Sequence, residues 1–164
     1  MSPISVQDLA AIVGGTPHST SSTLVTGFAT DNREVKPGDL FIAIKGAKVD
    51  GHDFASDAIQ RGAAAVISER PIAGPHILVD SVVAALARVG AHFREKFRGP
   101  VVGITGSAGK TTTKEFLASA LQPLGKIIKT EGNRNTEYTA PLLWPEVNAD
   151  IAAVVVEMAM RGFG

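Results

Sequence analysis

The sequence has no cysteine. That excludes a disulfide framework, a thiolate-ligated zinc site and a cysteine nucleophile. Neither sign of charge is in excess: Lys+Arg and Asp+Glu are both 16, for a formal net charge of +0. This balance argues against a nucleic-acid module held by bulk charge and against a polybasic membrane binder, and leaves room for a local phosphate site. No apolar run approaches the ~18 residues of a membrane span. Met1 to Leu9 lacks the basic and apolar regions of a secretory signal, so a cytosolic location fits. Aromatics are scarce, at 5%, whereas 17 Gly and 9 Pro punctuate the chain often. That suits an α/β chain with many short connections. With 164 residues, 45% of them hydrophobic and 20% charged, the chain has room for one domain, or one small domain and part of another.

Local patterns fill in this outline. Val6 to Val13 reads as an amphipathic helix, with Ser5 as N-cap and Gly14-Gly15 as its stop. Leu24 to Ala29, Leu40 to Ile44, Ala64 to Ile67 and Ile77 to Val79 read as strands, and Phe54 to Arg61 as a helix ending at Gly62. Val82 to Phe97 carries apolar residues at a helical period, and Gly99-Pro100 breaks the chain after it. A second unit opens with the strand Val101 to Thr105. A helix over Thr111 to Leu121 follows, with Phe116, Leu117 and Ala120 expected on its apolar side. Ile127 to Lys129 is a short strand, and Ile151 to Val156 is an uninterrupted apolar strand suited to the middle of a parallel sheet. The predicted organisation is residues 1–82, a connecting helix at 83–99, and 100–164. The helices of the second unit are too few to cover both faces of a parallel sheet, which predicts an N-terminal fragment of a longer protein.

The segment Thr105-Gly106-Ser107-Ala108-Gly109-Lys110-Thr111-Thr112 joins a strand to a helix. Backbone N–H groups in such a loop converge on an anion, and the helix dipole adds a favourable field. Lys110 would reach the β/γ-phosphates, and the Thr111 hydroxyl would ligate Mg²⁺. The spacing departs from the strict phosphate-loop pattern, because the position five before Gly109 is Ile104. Thr112 either binds phosphate oxygen or satisfies a free N–H of the first turn. Glu157 follows the apolar strand directly, where a carboxylate either holds Mg²⁺ beside a nucleotide or is an ordinary surface residue. In the first unit, Arg33 offers a planar fork for a diphosphate. Asp31 and Asn32 either contact a ligand or cap a turn. Lys45, Gly46 and His52 are further candidates, although a lone His is more often structural.

These blocks together resemble the Mur ligase family. Asp31-Asn32-Arg33, Pro37 to Ala43 with Gly46, Asp50 to Phe54 and Gly62 to Val66 resemble its N-terminal nucleotide-sugar block. Thr105 to Glu115 resembles its phosphate loop, and Ser107 with Lys114-Glu115 leans towards the member that adds D-Ala-D-Ala. Thr130 to Thr136 is similar to the family's Gly-Asn-x-Asn segment, and Glu157-Met158 to its strand-end acid. The resemblance implies a small α/β UDP-sugar domain followed by the start of a P-loop parallel-sheet ATPase. It implies ATP and Mg²⁺ as cofactors, and UDP-MurNAc-peptide and D-Ala-D-Ala as small-molecule substrates of a monomer. The reaction it implies is amide ligation through an acyl phosphate. Lys110 and Thr111 would position the γ-phosphate, Thr111 and Glu157 would hold Mg²⁺, and Asn133, Asn135 and Thr136 would line the reaction centre. Asp31, Asn32, Arg33, Lys45, Gly46 and His52 would meet the UDP-sugar. Departures are Asn32 for the usual Ser or Thr, Thr136 for an Asn, Tyr138-Thr139-Ala140 for Ile-Gly-Val, and Arg161 to Gly164 where many members carry a metal-binding His. The diaminopimelate- or lysine-adding member, folylpolyglutamate synthase and a non-catalytic nucleotide or UDP-sugar module are the alternatives.

Overall fold

A computed structural model describes residues 1–18, 23–46, 49–132 and 134–159. Its first elements form as the sequence predicts. The Ser5 side chain accepts from the Asp8 N–H at 3.0 Å and starts helix α1, Val6–Val13. Val6, Leu9, Ala10 and Val13 recur at helical spacing and are buried. Gly14 ends the helix with φ +67°, a left-handed conformation that glycine adopts without steric cost.

Chain contacts divide the protein into two units, Met1–Val89 and Gly90–Gly164. In the first, β1 (Ile4–Ser5) pairs antiparallel with β3 (Leu24–Val25). A five-stranded sheet has the order β2-β7-β6-β5-β4, from Thr16–His18, His76–Leu78, Ala65–Ser68, Asp39–Ile42 and Gly27–Ala29. All its pairings are parallel except β2 with β7. Every residue of β5 and β6 is buried, including the polar Asp39 and Ser68 at their ends, as suits strands inside a parallel sheet. Helix α2, Ala55–Gln60, contributes Ala55 and Ala58 to the core around Phe41 and Val66.

The strand expected over Leu24 to Ala29 is two strands that serve different sheets. The break is at Thr26, whose N–H turns to the Gly38 carbonyl at 2.8 Å. Strands β1 and β2 are additions to the sequence reading. Helix α3 spans Val82–Arg94, and its N-terminal turns bury Val82, Ala85, Leu86 and Val89. The division between the units falls inside α3, upstream of Gly99-Pro100.

The second unit is a three-stranded parallel sheet of order β8-β10-β9, from Val101–Ile104, Ile151–Glu157 and Lys126–Lys129. The apolar run at 151–156 therefore takes the central position its composition predicts. Helix α4, Lys110–Leu121, follows β8. Leu143, Ile151, Val154 and Val156 form a core against which Phe97, Trp144 and Val147 pack.

The buried face of α4 corrects the sequence expectation. Phe116 is 74% exposed, and Ala120 is exposed too. Lys114 and Ala118, one helical turn apart, are buried instead. A charged residue holds this face because its partner is buried beside it.

Candidate active site

Register brings the phosphate-loop residues and the strand-end acid together. In the parallel pair β8/β10, Glu157 stands opposite Ile104, the last residue before the loop. The Met158 N–H donates to the Ile104 carbonyl at 2.9 Å. Both strands thus deliver their carboxyl ends to one place, where open α/β sheets bind ligands. Glu157 is fixed from its backbone as well: its N–H donates to Thr130 Oγ1 at 2.8 Å, and the Thr130 N–H donates to the Val155 carbonyl at 3.1 Å.

The loop itself is open. Thr105, Gly106, Ser107, Ala108, Gly109, Thr111 and Thr112 are all exposed. Gly109 has φ +76° with nothing within 4 Å of where a Cβ would lie, so it supplies both the left-handed turn and clear space over the helix N-terminus. Lys110 Nζ donates to the Gly106 carbonyl at 2.8 Å and curls back over the loop.

The Thr111 hydroxyl donates to Glu157 Oε2 at 3.0 Å, and Asn135 Nδ2 donates to Glu157 Oε1 at 3.0 Å. The Asn135 carbonyl accepts from the Ala159 N–H at 3.1 Å, which locks this segment to the strand end. Lys114 Nζ lies 3.3 Å from Glu157 Oε2, with both side chains almost fully buried. Burial pushes the Glu157 carboxyl up, but donors on Asn135, Thr111 and Lys114 outweigh it, and the group sits below the ordinary carboxylate range. A carboxylate and a hydroxyl oxygen in contact are hard donors of the kind Mg²⁺ takes. Thr111 and Glu157 thus fit the cation the sequence implies.

Of the other expected reaction-centre residues, Thr136 spends its hydroxyl locally, 3.0 Å from Thr139 Oγ1 and accepting from the Tyr138 N–H at 3.3 Å. Asn133 lies outside the described residues, as does the Arg161 to Gly164 segment. Lys114 and Thr130 are the functional candidates to which the sequence reading gave no role. For Lys114 a signal existed: it follows Lys110 by four residues and so shares its side of the helix.

In the first unit, Asp31 caps a 3-10 turn at Asn32–Glu34, accepting from the Arg33 N–H at 2.9 Å. It also receives Arg33 Nε at 2.9 Å and Nη2 at 2.6 Å. The Arg33 guanidinium beside it holds its carboxyl down at about 2. Arg33 remains 79% exposed. Asn32 Nδ2 donates to Asp57 Oδ2 at 2.7 Å, which ties the turn to α2. Lys45 is exposed and forms an isolated bridge with Asp50, and the Gly46 N–H donates to the Val49 carbonyl at 2.9 Å. His52 is buried. Its Nδ1 lies 2.5 Å from Asp50 Oδ1, and its Nε2 accepts from the Glu69 N–H at 3.1 Å. Both ring nitrogens are occupied within the protein, so His52 braces the loop rather than presenting a nitrogen to a ligand.

The Asp31 shift has a testable consequence. A depressed folded pKa means the Asp31–Arg33 pair stabilises fully above the ordinary value of 3.8, and that contribution is lost as pH falls through about 2. The pair is solvent-exposed, so its contribution is small. Carboxyl NMR titration should find the Asp31 midpoint near 2, and Arg33→Ala should return it towards 3.8.

Residues 24–118 match the family described as "Mur ligase family, catalytic domain", and residues 104–164 match the "Mur ligase middle domain". A Synechocystis sp. protein named UDP-N-acetylmuramoyl-tripeptide--D-alanyl-D-alanine ligase is 40% identical over 145 residues, covering 85% of this chain and 32% of that protein. The crystal structure of MurF from Acinetobacter baumannii superposes with a TM-score of 0.90 at 33% identity, over 98% of this chain and 36% of that one. MurF ligase from Thermotoga maritima in complex with ADP does so with a TM-score of 0.73 at 42% identity, over 82% of this chain and 32% of that one. The chain spans about a third of the length of the curated relatives it matches. Among the described residues, no helix is long and apolar enough to cross a membrane.

Proposed function

The chain belongs to the Mur ligase family, and from that premise we propose that the full protein is a cytoplasmic, ATP-dependent amide ligase that adds D-Ala-D-Ala to a UDP-MurNAc-tripeptide. The observation that carries this reading is the contact of Thr111 with Glu157 at the carboxyl ends of adjacent parallel strands, directly beside an open phosphate loop. The names of the relatives point to the same acceptor and donor.

In this reading the tripeptide carboxylate attacks the γ-phosphorus of ATP, the bond to ADP breaks, and an acyl phosphate forms. The amine of D-Ala-D-Ala then attacks the acyl carbon, phosphate leaves, and the nitrogen loses its extra proton to solvent. Lys110 neutralises charge on the transferring phosphoryl group, and the amides of 106–111 orient it. Asn135 holds the Glu157 carboxylate in place, and the family resemblance assigns Asn133 and Thr136 to the reaction centre. Mg²⁺ between Thr111 and Glu157 would offset the negative charge of the phosphates. Such catalysis rests on positioning and electrostatics, with no covalent protein nucleophile. The 1–82 segment takes the UDP-sugar through Asp31-Asn32-Arg33, Lys45 and Gly46, and the 100–164 segment opens the ATPase.

The test is to incubate the full-length protein with ATP, Mg²⁺, UDP-MurNAc-tripeptide and D-Ala-D-Ala, and to separate the products. Equimolar ADP and UDP-MurNAc-pentapeptide are expected. ATP turnover without amide product, or amide product only when UDP-MurNAc-dipeptide with diaminopimelate or lysine replaces these substrates, would refute the assignment. Arg33→Ala should weaken UDP-MurNAc-tripeptide binding by ~1.5–3 kcal/mol, the range of a lost charge-assisted contact. Calorimetric titration reads this directly, and an unchanged affinity returns Arg33 to a purely local role with Asp31.

A further inference from the structure

Lys114 is the least expected residue of the phosphate-loop helix. Its side chain is 1% exposed, and lysines are almost never fully buried without a partner. The partner is Glu157 Oε2 at 3.3 Å, with Glu115 Oε1 at a longer 3.8 Å. Glu115 is itself engaged on the outside by Lys129. Glu157 already receives two neutral donors, Thr111 and Asn135. Its hydrogen bonding does not need a lysine, so what Lys114 adds is charge. The ammonium and the Thr111 hydroxyl meet the same carboxylate oxygen, and Thr111 and Glu157 are the pair that fits a divalent cation. A resident positive charge at that oxygen cancels the carboxylate and opposes any second cation that approaches alone.

We propose that Lys114 is a positioning residue that keeps the Glu157 site neutral until nucleotide phosphates arrive, so that the divalent cation is captured with the nucleotide and not by itself. The inference rests on the ligase reading above, which supplies the nucleotide. Phosphate charge offsets the ammonium, so cation and nucleotide each raise the other's affinity, and Lys114 sets much of that coupling.

Mn²⁺ is the probe, with free Mn²⁺ read by electron paramagnetic resonance in titrations of the full-length protein with and without ATP. Wild type should bind Mn²⁺ weakly without ATP and much more tightly with it. Tight binding without ATP overturns the proposal before any variant is made. Lys114→Met keeps the apolar stem, and Lys114→Gln keeps a donor for Glu157 without the charge. In the nucleotide-free protein both should bind Mn²⁺ at least about tenfold more tightly than wild type, and the gain should shrink when ATP is present. A merely structural role would leave Mn²⁺ affinity unchanged or weaken it, and either result in a folded variant overturns the proposal. If methionine does not fold, glutamine decides. Glu157→Gln separates the two levels: it should abolish the site in every background. If it leaves Mn²⁺–ATP binding at the wild-type level, the phosphate-loop acid is misassigned and the ligase site fails with it. If it abolishes binding while Lys114→Gln changes nothing, only the role of Lys114 fails.

Discussion

Lys110→Ala in the full-length protein is expected to abolish the proposed D-Ala-D-Ala ligation while the proposed UDP-MurNAc-tripeptide substrate still binds. Lys110 is the cation of an otherwise neutral loop, and in this structure its ammonium rests on the Gly106 carbonyl, within the span that would wrap the phosphates. Removing one preorganised donor from developing charge typically costs ~10²–10³-fold in rate. In the proposed reaction Lys110 would also screen the ground-state phosphates, so the loss should lie at the upper end of that range or beyond. ADP release measured at saturating ATP isolates the chemical step. Calorimetry with the UDP-sugar should show unchanged binding, because its proposed contacts lie in the other unit. A variant that forms product at a rate near wild type removes Lys110 from the reaction.

Glu157→Ala should have the largest effect on stability. It leaves the Lys114 ammonium, 1% exposed, without its nearest counter-charge. Breaking one side of a buried ion pair costs about 3–5 kcal/mol when the survivor stays desolvated and unpaired, and Glu115 at 3.8 Å places the loss at the lower end of that range. Thr111 and Asn135 lose their shared acceptor in the same step. In the 164-residue chain, urea unfolding followed by Trp144 fluorescence reads the second unit, since Trp144 is the single tryptophan of these residues and packs against that unit's core. Combining Glu157→Ala with Lys114→Met should recover part of the loss, because no charge is then stranded. A double variant as unstable as the sum of the two singles would mean that the pair contributes nothing as a pair.

What could be read from the sequence was what local periodicity and glycine punctuation encode. Helix α1 declared itself through Ser5, its buried spacing and Gly14. The run at 151–156 declared a central parallel strand. The strand-to-loop-to-helix order located Lys110 and Thr111, the end of the apolar run at 151–156 located Glu157, and the structure brings Thr111 and Glu157 into contact. The remainder depended on pairing between distant segments. Ile4–Ser5 is a strand only because it meets Leu24–Val25, and no two-residue stretch shows a period. Ala140–Glu146 forms a 3-10 helix carrying Pro141 and Pro145, residues that read locally as breakers. On α4, Phe116 reads as inward because it is apolar. The burial of Lys114 in its place follows from a carboxylate 43 positions later that no window on the helix contains.

The edge strand Thr16–His18 runs against its neighbour and carries Pro17 at its centre. Proline is admitted to a strand only where its missing N–H is not called upon, which is the outermost rim of a sheet. A second chain approaching that rim would find a gap in the row of donors that a growing ladder requires. The β2 rim of the five-stranded sheet therefore carries its own terminator. At the concentrations used to purify or crystallise the protein, this rim is a poor seed for strand-by-strand aggregation.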